Sequence, residues 1–162
     1  MRKLNPEHVA AMIAFSDKIP CVELLEMRLA ALWKGGCRVE LDLARKHMNP
    51  YNGPYGGVYA SLVDTATWWA IYAEMDEDVG YTTLDLHLDN LSTVSGGKLI
   101  AEGRTVKLGR TICLAEAFVR DEAGKLLVHG TSKLMVTPVR PPLDTVVDEF
   151  GLPPIPPKFL EA

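Results

Sequence analysis

Apolar and polar positions alternate cleanly from residue 37 to 43. Val39, Leu41 and Leu43 fall on one side and Arg38, Glu40 and Asp42 on the other. Side chains of a strand point to opposite faces in turn, so this is a strand with one buried and one wet face. Residues 27–33 precede it across Gly35 and Gly36, and the two runs read as a hairpin. Residues 58–74 behave differently. They contain no glycine and no proline, and Asp64 is the one charge before Glu74. At about 25 Å such a helix is apolar nearly all round, which predicts a buried helix rather than a surface one. Alternation returns at residues 82–91, with Leu84, Leu86 and Leu88 set against Thr83, Asp85, His87 and Asp89. Strands are further expected over 99–107, 111–120 and 125–136, the last two turns at Gly109–Arg110 and Asp121–Gly124. At the amino end Asn5 is a good cap and Pro6 suits a first helical position. Val9, Met12, Ile13 and Phe15 supply an apolar face, so residues 1–19 are expected to carry an extra helix, with a further short turn at Val22, Leu24 and Leu25.

These elements describe an α+β protein: two strands, one long helix, then four strands. No second helix alternates with the later strands, so an α/β sheet is not expected. Residues 1–137 read as a single domain. From Pro138 the composition changes, since seven of the eleven prolines lie there, and residues 138–162 read as an extended proline-rich tail.

The 162 residues are 48% hydrophobic and 23% charged, ordinary values for one globular domain with a real core. A net charge of −4 gives no reason to expect a nucleic-acid partner. The start of the chain is not an apolar run, and no apolar stretch is long enough to span a bilayer, so a soluble cytoplasmic protein is expected. Cys21, Cys37 and Cys113 are odd in number and widely spaced, which suits neither a disulfide framework nor a zinc site. No phosphate-binding glycine loop, metal spacing or Gly-x-Ser-x-Gly elbow occurs.

Candidate chemistry gathers on the long helix and the loop before it. Asp64 lies among Leu62, Val63, Trp68 and Trp69. A carboxylate in such company is expected to be partnered or to have a raised pKa, as general bases do; a purely structural hydrogen bond is the other reading. Trp68 is one turn further on and can desolvate it. Gly56 and Gly57 open the helix, where free amides can hold an oxyanion, or where the glycines simply make a turn. Gly56 and Asp64 are eight residues apart, about 12 Å along a helix, so one carbonyl cannot touch both within a subunit. If both act, two copies must supply them across a two-fold axis. Asn49 can bond a substrate carbonyl or orient its loop, and Thr83 can place a water beside Asp64. His87, flanked by Asp85 and Asp89, reads as a surface histidine and Cys113 as core. Lys107 and Arg110 put two cations at a turn, suited to phosphate contacts or to plain solvation.

Taken together, Asn49, Gly53, Gly56–Gly57 and Leu62–Val63–Asp64 resemble the signature of hotdog-fold thioesterases of the phenylacetyl-CoA thioesterase (PaaI-like) family. Thr83 to Leu86, the Lys107 to Arg110 turn and the Asp121 to Gly124 hairpin continue the likeness. The resemblance implies a six-stranded antiparallel sheet wrapped around one helix. It implies pairing into a homodimer and a dimer of dimers. Asp64 takes the place of the general base or nucleophile acting across the dimer. Gly56 N–H matches the oxyanion donor, Asn49 a group on the thioester carbonyl, and Thr83 a residue placing the water. Gly57, Tyr55, Trp68, Lys107 and Arg110 fall at substrate-binding positions. No cofactor or metal is implied, coenzyme A being part of the substrate. Tyr55 stands where the family usually has histidine; it donates a hydrogen bond but does not titrate near neutral pH. Two functions therefore stand side by side, an acyl-CoA thioesterase and a non-catalytic acyl-thioester binder. A hotdog hydratase would need a histidine near the aspartate, and neither His47 nor His87 has a suitable spacing.

Overall fold

The run of residues without glycine or proline folds as helix α3, Gly56–Tyr72, in a computed structural model that describes residues 2–77, 79–137 and 143–160. The helix starts two residues before the expected boundary, because both glycines enter its first turn. Tyr55, at φ −64° and ψ 137°, stands at the cap with no side-chain cap bond. Before it come strand β1 (Lys3–Leu4), helices α1 (Pro6–Ser16) and α2 (Pro20–Leu25), and strands β2 (Met27–Trp33) and β3 (Gly36–Asp42). After it come β4 (Gly80–Asn90), β5 (Lys98–Lys107), β6 (Ile112–Arg120), β7 (Leu126–Thr137), helix α4 (Leu143–Glu149) and β8 (Phe159–Leu160). Asn5 caps α1 as expected, its side chain accepting from Glu7 N at 3.0 Å.

Six strands form one antiparallel sheet in the order β2-β3-β5-β6-β7-β4. The α+β hotdog architecture with an additional amino-terminal helix is therefore observed. The sheet wraps α3, whose Leu62, Val63, Ala66 and Ala70 are fully buried together with Val39, Leu99, Ala101, Ala115 and Ala117 of the strands. Small residues allow close approach. A Cβ built on Gly103 would lie 2.2 Å from the Ala66 carbonyl oxygen. The Cys37 thiol donates to that same oxygen at 3.1 Å, and burial pushes it up to about 12, so it keeps its proton. Gly103→Ala should therefore cost about 3 kcal/mol or more, because helix and sheet must part to admit one methyl group. Chemical denaturation should show a lower midpoint with an unchanged slope.

Two expectations are corrected. The alternation assigned to residues 82–91 is broken by a bulge between Thr83 and Asp85. The extra residue at Leu84 puts the positions before it out of phase with those after it, so Leu86 and Leu88 keep the side expected of them. Leu84 is consequently 49% exposed, and Thr83, expected beside Asp85 and His87, turns to the helix side instead. The proline-rich segment is not extended throughout. Residues 138–142 and 161–162 fall outside the described residues, but α4 is helical and Val147 joins the core. β8 pairs with β1, a two-stranded sheet too short for any sequence period to announce. The Asn5 amide donates to the Lys158 carbonyl at 2.9 Å and its side chain to Pro157 O at 2.9 Å, tying this segment across α1.

Candidate active site

Asp64 lies two turns into α3 on its only partly exposed face, half-buried. Ser61, Asp64, Thr65 and Trp68 stand at the i, i+3, i+4 and i+7 positions that share one helix face. They form one wall of a pocket of ≈ 250 Å³, with Trp69 beneath. The other wall is apolar and comes from Ile19 just before α2, Val22 within α2 and Met27 at the start of β2, with exposed Cys21 of α2 at its border. The Thr83 hydroxyl donates to Asp64 Oδ1 at 2.9 Å. The bulge in β4 is what aims Thr83 inward, so the expected partner of Asp64 exists, contributed by the strand that follows the helix. The arrangement offers one carboxylate oxygen held by a hydroxyl and the other without a hydrogen-bond partner among the described residues, in a wall otherwise suited to an apolar group.

The loop before α3 is pinned at several points. Buried His47 accepts the Ala44 backbone N–H at Nδ1, 2.9 Å, so Nε2 carries the proton and donates to Leu25 O at 2.9 Å. His47 O in turn accepts from Tyr55 N at 2.8 Å. Asn49 closes the loop upon itself. Its Oδ1 accepts from Tyr51 N at 2.9 Å and Gly53 N at 3.2 Å, and its Nδ2 donates to Pro54 O at 3.3 Å. Of the two roles open to Asn49, the geometry displays the loop-orienting one. At the end of this loop Gly56 and Gly57 are exposed, and their amides are among those a helix leaves without an internal acceptor. Their partial positive charge faces outward. Tyr55 is 63% exposed and its ring lies over Gly57, where a Cβ would come within 2.6 Å of it. Glycine at 57 is what lets that ring lie flat on the helix start.

Within one chain the expected residues thus form separate groups. Asp64, Thr83 and Trp68 are together, and Asn49, Tyr55, Gly56 and Gly57 are together about 12 Å away along the helix. Lys107 and Arg110 are exposed at a turn beyond the opposite end of α3, since the Thr105 hydroxyl bonds Ala70 O at 3.1 Å. His87 is exposed and 3.5 Å from Asp89, and Cys113 is buried, as read from the sequence. Ser61 and Thr65 were not singled out, although the helical period carries them onto the face of Asp64. Ile19, Cys21, Val22 and Met27 had no such signal, because only folding brings them across from Asp64. Among the described residues no helix is long and apolar enough to cross a membrane.

Comparison with known proteins adds a set of similarities. Residues 54–128 match the Thioesterase superfamily. An Archaeoglobus fulgidus protein named as an esterase is 29% identical over 130 residues, 77% of this chain and 80% of that one. The 1,4-dihydroxy-2-naphthoyl-CoA hydrolase of Listeria monocytogenes is 23% identical over 105 residues, 65% of this chain and 85% of the hydrolase. Among solved structures, a Haemophilus influenzae thioesterase superposes with a TM-score of 0.77 at 22% identity, covering 85% of this chain and 95% of the other.

Proposed function

We propose, from the match of residues 54–128 to the Thioesterase superfamily, an acyl-CoA thioesterase whose site is shared across a dimer interface. The observation that carries this reading is the Asp64–Thr83 pair opening on an apolar pocket, with free helix-start amides too far away to serve the same carbonyl in the same subunit. Asp64 accepts a proton from water as its oxygen attacks the acyl carbon, or attacks directly to give a mixed anhydride that water then opens. The partner's Gly56 N–H receives the oxyanion. The thiol of coenzyme A leaves with a proton and the free acid remains. Thr83 holds the carboxylate in one orientation. Lys107 and Arg110 face the phosphates of coenzyme A. Support for the acyl-CoA class comes from the naphthoyl-CoA hydrolase relative. Support for a dimer comes from β4, which lies at the sheet edge with eleven residues, Leu84 exposed and Leu91 59% exposed just beyond it. A long edge strand leaves backbone groups open to pairing with another strand.

Release of free thiol from aryl, short-chain and medium-chain acyl-CoAs tests the reading, with turnover on at least one member expected. Thr83→Val removes the hydroxyl bond to Asp64 while nearly keeping the shape. It should lower kcat about tenfold, the size of a hydrogen bond to a charged group. Tyr55, in place of a titrating histidine at the helix start, favours a second reading, an acyl-thioester binder. That protein would retain acyl-CoA on a calorimeter and release no thiol.

A further inference from the structure

Lys158 is 1% exposed, the most deeply buried charge among the described residues. Its ammonium donates to Met75 O at 2.7 Å and stands 3.8 Å from the centroid of the Tyr72 ring. Its backbone N–H donates to the Glu77 carboxylate. Burial pushes the ammonium down to about 8, with Glu77 and Asp76 opposing that shift. A lysine sequestered at such cost is held there by its contacts. Tyr72 is gripped a second time. The His8 Nδ1–H donates to Pro156 O at 2.7 Å, so Nε2 accepts the Tyr72 hydroxyl at 2.7 Å. Tyr72 in turn stacks on Trp68, with centroids 5.6 Å apart and planes 12° from parallel. Trp68 lines the pocket one turn from Asp64. An unbroken line of contact therefore runs from the segment before β8 to the wall of the acyl pocket. Lys158, His8 and Pro156 all lie outside residues 54–128, the portion shared with the superfamily.

We propose that Lys158 is a positioning residue that sets the shape of the acyl pocket, acting through Tyr72 on Trp68, so that this carboxy-terminal strap governs which acyl groups fit. The proposal rests on the acyl-thioesterase reading for its enzymatic readout. The strap acts on the acyl end of the substrate, so its loss should alter selectivity rather than scale all rates alike. An arginine keeps a cation over the ring and can still reach a carbonyl, whereas methionine keeps only the stem.

The test compares Lys158→Met and Lys158→Arg with the unaltered protein. Phenylacetyl-CoA and acetyl-CoA are the two substrates, and the readout is the ratio of their kcat/KM values. Lys158→Met should change that ratio about tenfold, the scale on which an apolar pocket discriminates size. Lys158→Arg should return it to within about threefold of the unaltered value. An unchanged ratio, or equal loss on both substrates with a lower Tm, overturns the proposal and leaves Lys158 a staple. His8→Gln, which frees the Tyr72 hydroxyl and keeps the cation, repeats the test should Lys158→Met not fold. A second readout needs no turnover. Cys21 borders the pocket, while Cys37 and Cys113 are buried. The relative rates of its alkylation by N-ethylmaleimide and by a pyrene maleimide should shift in Lys158→Met. Should no acyl-CoA be hydrolysed by the unaltered protein, the thioesterase reading fails and this alkylation ratio alone decides for or against the strap.

Discussion

Asp64→Asn should lower kcat on the preferred thioester by about 10³-fold, a loss of about 4 kcal/mol of transition-state stabilisation. Asparagine keeps an oxygen to accept the Thr83 hydroxyl, so the bond that orients the side chain survives. It also keeps the volume, so the pocket wall of Ser61, Thr65 and Trp68 is undisturbed. What it loses is the basicity that takes a proton from water, or the charge that attacks carbon. KM should change little, because the acyl group meets the same apolar surface in both proteins. Single-turnover thiol release separates chemistry from binding, and thermal unfolding should place Asp64→Asn close to the unaltered protein. Asp64→Ala should be as inactive, but with Thr83 left without its acceptor. A residual rate within threefold of the unaltered protein in Asp64→Asn would remove Asp64 from the reaction altogether.

Gly56→Pro should lower kcat by about 10²-fold to 10³-fold while leaving the fold intact, the loss expected when one oxyanion donor is removed. The substitution acts on one hydrogen. Gly56 is the first residue of α3, where proline's fixed φ is welcome and its missing N–H breaks no helical bond. Tyr55 before it already has φ −64° and ψ 137°, the extended conformation that a following proline demands. A Cβ at position 56 meets nothing within 4 Å. Gly56→Ala, which keeps the N–H, should retain most activity and serves as the control. Full activity in Gly56→Pro would move the oxyanion site elsewhere.

How far the sequence foretold all this depended on whether a feature was local. The long helix was legible because residues 58–74 hold no glycine or proline and one charge before Glu74, which leaves a buried helix as the natural outcome. The β3 strand was legible because its alternation is unbroken. Asp64 stood out as the lone carboxylate among Leu62, Val63 and Trp68, and its distance from Gly56 is fixed by helical rise. Thr83 was named as a residue beside Asp64, yet its face was misread. Strict alternation placed it outward, and a single-residue bulge at Leu84, which depends on pairing with β7, turned it inward. The pocket wall of Ile19, Val22 and Met27 left no trace, since it exists only once α2 packs on β2 and faces α3 across the pocket. Lys158 was invisible for the same reason. Amid prolines it reads as a solvated tail residue, and only the docking of that segment onto His8 and Tyr72 buries it.

The central claim is that two subunits complete one site, and co-expression of Asp64→Asn and Gly56→Pro chains tests it most directly. Each homodimer has two damaged sites. A mixed dimer has one site with both lesions and one with neither, because Asp64 from one chain meets Gly56 from the other. Random pairing makes half the dimers mixed, so the mixture should recover about one quarter of the unaltered activity, far above either variant alone. A mixture no more active than the average of its two components would contradict the shared site.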